Sequence, residues 1–128
     1  MIQNAAELYI AVQVLMGISL LAFLAGYFMR KKNKNIHGLL GLTGVLFNLV
    51  GAGVLVYYVY AEGILLKNRL PVLFAYLHRG FAVLVTLLMF YMAYTGITKQ
   101  REKHIKMHKL FLIGYIIVYF SGMIVFHG

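Results

Sequence analysis

The sequence predicts an all-α integral membrane protein, an up-down bundle of four transmembrane helices with both termini on the outer side. Three observations carry that prediction. Hydrophobic residues make up 62% of the chain and charged residues only 12%, too few to cover a soluble domain of this length. Apolar runs occur at about 8–29, 36–60, 72–97 and 105–126, each near the roughly 20 residues that a helix needs to cross a bilayer. Basic residues gather at the ends of these runs rather than being spread along the chain. Residues 1–128 are therefore expected to form a single transmembrane domain.

Taken in order, the chain starts with a short polar lead, Met1 to Glu7, without a basic segment. The first apolar run, Leu8 to Met29, is too long for a signal-peptide core and has no positive charge before it. It ends in Arg30-Lys-Lys-Asn-Lys34, a stop-transfer collar. The second run opens at His37 and closes in Tyr57, Tyr58 and Tyr60, which read as an interfacial aromatic belt. A loop from Glu62 to Leu70 leads to Pro71, suited to the first turn of the third helix, where a missing N–H is no loss. That helix carries His78 and Arg79 near its start and runs to about Thr98. Lys99 to Lys103 then lead into the fourth helix, which ends at His127-Gly128.

Orientation follows from the basic residues. Nine of them (Arg30, Lys31, Lys32, Lys34, Lys99, Arg101, Lys103, Lys106 and Lys109) flank the first and third loops, against Lys67, Arg69 and Arg79 on the other side. The positive-inside rule places segments 30–34 and 99–109 in the cytoplasm. The net charge of +9 is thereby explained by membrane orientation, and nucleic acid is not an expected partner. With loops this short, consecutive helices are expected to be antiparallel neighbours. The chain has no cysteine, hence no disulfide and no thiolate metal site.

Helix faces suggest how the bundle closes. On the fourth helix, steps of three and four from His104 give His108, Phe111, Tyr115, Tyr119, Gly122 and Phe126. On the second, the same steps from His37 give Gly41, Gly44, Asn48, Gly51 or Ala52, and Leu55, a stripe of small residues that lets a neighbouring backbone approach. Asn48 lies near mid-membrane and is expected to face inward and find a hydrogen-bond partner. The first helix looks like scaffold.

The histidines divide by depth. His37, His104 and His108 fall at the cytoplasmic helix ends, and His78 and His127 towards the outer face. At about 1.5 Å rise per residue the two groups should lie roughly 20–30 Å apart. One ion cannot be ligated by both. The sequence permits an inner site of His37 with His104 or His108, an outer site at His78, alone or with His127, or both. His37, His78, His104 and His108 are thus the candidate ligands for haem b or, as the alternative, copper. Arg79 or the basic collar could meet haem propionates. His127, next to last, reads as a frayed interfacial residue. Met29, Met89 and Met92 read as packing. The acids are Glu7, Glu62 and Glu102, all at loops or termini, so no carboxylate pair works inside the membrane. No nucleotide-binding, nucleophile-elbow or HExxH motif occurs, and any chemistry must come from a bound cofactor.

Several of these motifs carry a family resemblance: the His that opens the second span, Leu77-His78, Glu102-Lys103-His104, and the ending Tyr115-Ile-Ile-Val-Tyr-Phe-Ser-Gly-Met-Ile-Val125. Between about Asn33 and Phe126 the chain resembles the domain-of-unknown-function family of small four-helix membrane proteins that includes the haem–copper oxidase maturation factor CtaM. The resemblance implies a bacterial or archaeal plasma-membrane protein that handles haem or copper in oxidase assembly, with respiratory oxidase subunits as partners. Its characteristic histidines would fall on His37, His78 and His104, and His108 is additional. The layout is also similar to histidine-ligated b-type cytochromes that pass electrons from quinones. A cofactor-free structural subunit of a membrane complex is the third expectation.

Overall fold

A computed structural model describes residues 2–127. Four long helices, α1 (Ala5–Met29), α2 (Lys34–Val56), α3 (Val72–Ile97) and α4 (Arg101–Val125), form the whole framework, and each is long and apolar enough to span a membrane. Their starts follow from local chemistry. The Asn4 side chain accepts from the Glu7 N–H, and Asn33 does the same for Asn35 and Ile36, satisfying backbone donors that a helix start leaves unpaired. Pro71 stands just outside α3, its carbonyl taking the Phe74 N–H. The apolar spans expected at 36 and 105 begin earlier as helices, at Lys34 and Arg101, because polar residues of the collars complete the first turns. At the far end α2 continues as a π-helical turn, Tyr57–Ala61.

The helices pair as two antiparallel hairpins, α1 with α2 and α3 with α4. At the tightest point of the first hairpin, the Ser19 hydroxyl donates to the Gly44 carbonyl at 2.6 Å. A Cβ at Gly44 would stand 2.8 Å from the Phe23 ring, so the small-residue stripe of α2 seats an aromatic side chain. The hairpins join through α1 and α4. Leu20 and Phe23 of α1 meet Phe111, Leu112 and Tyr115 of α4, with Val85, Met89 and Met92 of α3 behind them. Phe23 packs edge-on against Phe111 and Tyr115 at 4.8 and 5.5 Å. In a bilayer such burial gains little from exclusion of water. Close packing and aromatic geometry, about 0.5–1.5 kcal/mol per ring pair, do the stabilising.

The α4 stripe read from the sequence is this seam, and α1 is the helix it packs on. Tyr115 donates to the Met16 carbonyl at 3.2 Å, and the Tyr119 hydroxyl lies 3.5 Å from that of Gln13. Leu21, Leu39, Val83 and Ile113 point outward and are exposed, as lipid-facing positions require.

Two features differ from expectation. α2 and α3 do not pack along their length. Asn48 is buried and its amide reaches the Met89 sulfur at 3.3 Å, but away from the basic loops the two helices leave a cleft of about 480 Å³ between them. His127, expected to fray, is instead in a short strand. The segment β1 (Lys67–Asn68) pairs antiparallel with β2 (Phe126–His127), and Arg69 N–H donates to the Val125 carbonyl at 2.8 Å. Strand pairing and that bond occupy backbone groups which the end of α4 would otherwise leave open.

Candidate metal centre

At the basic end of the bundle, three histidines converge. His37 comes from the first turn of α2, and His104 and His108 from the first two turns of α4. One imidazole nitrogen from each lies within 4.8 Å of the others. The ring centroids are 5.5, 5.7 and 5.9 Å apart, with interplanar angles of 51°, 40° and 83°. The two α4 residues share a face because four residues make just over one turn. His37 arrives from another hairpin, carried there by α1, whose C-terminal end lies against α2.

Backbone carbonyls orient two of the rings. His37 Nδ1 lies 2.7 Å from the Gly26 carbonyl, and His104 Nδ1 lies 2.9 Å from that of Met92. A carbonyl can only accept, so Nδ1 must carry the proton in both. That leaves Nε2 as the lone-pair nitrogen available to a ligand, the arrangement by which outer partners fix metal-binding imidazoles. Thr95, fully buried, donates to the same Met92 carbonyl. His108 is buried and held by packing, with the Tyr27 ring edge-on at 5.3 Å. Arg30 closes the outside of this corner. Its guanidinium stands 3.8 Å above the Tyr27 ring and donates to the Tyr27 carbonyl at 2.7 Å.

The donor set suits a transition-metal ion. Imidazole nitrogens bind Cu, Zn, Fe and Ni well. With metal–nitrogen bonds of about 2.0–2.1 Å, three donors no more than 4.8 Å from one another need each ring to move inward by less than about 1 Å. Three protein ligands also leave a fourth position open for an exchangeable ligand. The same set is a poor haem pocket. Two axial histidines must stand on opposite faces of a macrocycle, whereas here each pair of rings has the third beside it.

His78 and Arg79 lie elsewhere. His78 Nδ1 is 2.7 Å from the Ser121 hydroxyl, and its ring packs on Gly122 and Phe126. Arg79 is exposed, its guanidinium 5.9 Å from the rings of Tyr76 and Phe126. From His108 to Gly122 α4 rises ~20 Å, so His78 cannot share an ion with the three clustered histidines. The sequence reading had Arg30 only as part of the basic collar, and missed Tyr27 and the carbonyls of Gly26 and Met92 as parts of the inner corner. A backbone carbonyl leaves no mark on residue identity, and nothing in the first helix, read as scaffold, pointed to Gly26.

Comparison of the chain with protein families, with curated proteins and with solved structures finds no match.

Proposed function

We propose that this protein is a metal-handling factor of the membrane that holds a copper ion at His37, His104 and His108. The observation that carries the reading is the convergence of three imidazoles, two of them already fixed with Nδ1 protonated by backbone carbonyls. Such preorganisation is expected of ligands; interfacial histidines that only face water have no need of it. The basic collars adjoin the cluster, so the positive-inside rule puts the site at the cytoplasmic surface. His37 and His104 hold and orient the ion through Nε2. His108 completes the triangle from the buried side, and Tyr27 with Arg30 screens it from bulk water. The open fourth position suits transfer of the ion to an acceptor. Service to a haem–copper oxidase is the form of this function that the motif resemblance supports, and that part rests on the motifs alone.

The test is metal loading of detergent-purified protein with Cu(I) under reducing conditions, read as metal per chain. About one equivalent should bind tightly. His37→Ala, His104→Ala and His108→Ala should each weaken it by at least about tenfold, while His78→Ala should leave it unchanged. Equal loading of all four variants would refute the site. Sharp haem absorption in the purified protein, lost in His37→Ala and His104→Ala, would replace copper with haem.

A further inference from the structure

The cleft between α2 and α3 lies outside the metal corner and has its own chemistry. It holds about 480 Å³, within the range of small-molecule sites. Its walls are mostly apolar, with Ala52, Leu55, Val85 and Phe111 among them, and Asn48 and Thr86 are polar groups deeper in. Its charged group, Arg79, lies with Gln13 and His78 near the end distal to the basic loops. They share a level. The Tyr119 hydroxyl reaches the Gln13 carbonyl, and Gly122, three residues on, abuts His78. From Gly122 back to Phe111 α4 covers ~16 Å. The cleft is thus a mostly apolar slot running along the bundle axis with its charge at one end.

Among the described residues no carboxylate forms an ion pair with Arg79 at that end. Arg79 rests over aromatic faces. Of the three carboxylates, Glu7 bonds the Gln3 N–H, Glu62 takes the Tyr57 hydroxyl and Glu102 begins α4 at the opposite end. Gln13 also lines this end, and its amide N–H groups are the donors it could offer an anionic head group. A permanently charged guanidinium at the mouth of an apolar slot selects an anion with an apolar tail.

We propose that this cleft binds a single-chain amphiphilic carboxylate, of the long-chain fatty-acid class, with its head group at Arg79 and its chain between α2 and α3. Volume decides for one chain over two. At about 30 Å³ for a water-sized group, 480 Å³ accommodates about 16 methylenes, one acyl chain's worth. The slot lies between helices that do not pack on each other along their length, so such a ligand has a route in from the bilayer.

Native mass spectrometry of the full chain released from detergent micelles, titrated with oleate and in parallel with oleyl alcohol, tests this. The wild type should show one saturable oleate adduct and bind the alcohol about tenfold more weakly. Ala52→Phe, which fills the slot, should abolish the adduct. Arg79→Gln, at an exposed position, should bring acid and alcohol to equal affinity, and it keeps the test decisive if Ala52→Phe fails to fold. No saturable oleate adduct on the wild type would overturn the proposal. So would an adduct untouched by the substitutions, or displacement of oleate by a two-chain anionic phospholipid at equal concentration.

Discussion

The His104 imidazole rests against the backbone of Gly96: a Cβ built on that glycine would stand 3.0 Å from its Cε1 and 3.1 Å from its Nδ1. The contact and the Met92 carbonyl together set the direction of Nε2. Gly96→Ala should therefore push the ring off its carbonyl and lower metal affinity by about tenfold, as loss of an outer-shell partner does. Helix propensity moves the other way, favouring alanine by up to about 1 kcal/mol. Weaker metal binding without loss of thermal stability is the expected outcome. Gly38→Ala and Gly41→Ala, where an added Cβ meets nothing within 4 Å, should leave binding unchanged.

Three residues further on, Lys99 has φ +58°. The turn it makes is a helix stop of the Schellman kind: Lys99 N–H reaches the Gly96 carbonyl at 3.3 Å and Gln100 N–H that of Thr95 at 2.9 Å. A side chain in this left-handed region costs roughly 1 kcal/mol or more, and glycine removes that cost. Lys99→Gly should raise stability by about 1 kcal/mol in detergent unfolding, with metal affinity intact. A fall in stability would mean that the lysine side chain contributes something its backbone geometry does not reveal.

How much of this was legible in the sequence depends on the link in question. Span number and the α4 seam were readable because apolar run length and helical spacing report them directly. His104 and His108 share a face for the same reason. The approach of His37 to them was one of several pairings the sequence left open, because periodicity gives a helix its faces but not the neighbour each face meets. The same gap hid the role of α1. Its apolar residues run all round the helix, so Phe23 and Tyr27 carry no sign that they pack inward while Leu21 and Phe28 are exposed. The cleft was invisible because it is a lack of contact between α2 and α3. The strand pairing of Lys67 and Asn68 with the chain end depends on backbone groups, which every residue has.

Gly44 offers a test of the first hairpin that does not involve metal. Since an added Cβ would lie 2.8 Å from three atoms of the Phe23 ring, Gly44→Ala should overpack the α1–α2 contact and cost about 1–3 kcal/mol. The Ser19 bond to the Gly44 carbonyl would be strained by the same separation. Phe23→Leu should recover part of the loss when combined with Gly44→Ala, although alone it removes buried aromatic contacts and destabilises. A double-mutant cycle read by thermal unfolding measures that coupling. Simple additivity would show that the ring does not feel the added methyl.

The metal corner also has an electrostatic peculiarity that predicts an unusual salt dependence. No carboxylate is among its three candidate ligands, and Arg30 stands over the adjoining Tyr27. Lys31, Lys32, Lys34, Arg101 and Lys103 flank the helix ends that carry the histidines. A cation entering three neutral imidazoles there is repelled by these charges. Repulsion between solvent-exposed charges is screened over about 8–10 Å at physiological salt, so raising ionic strength with a non-coordinating salt should strengthen metal binding, not weaken it. Arg30→Gln should produce part of the same gain at low salt and reduce the further gain from adding salt. Acid should act oppositely, because protonated imidazoles cannot ligate, and affinity should fall as pH is lowered. Affinity that falls with added salt would mean that an anionic group, such as a lipid phosphate, shares the site with the three histidines.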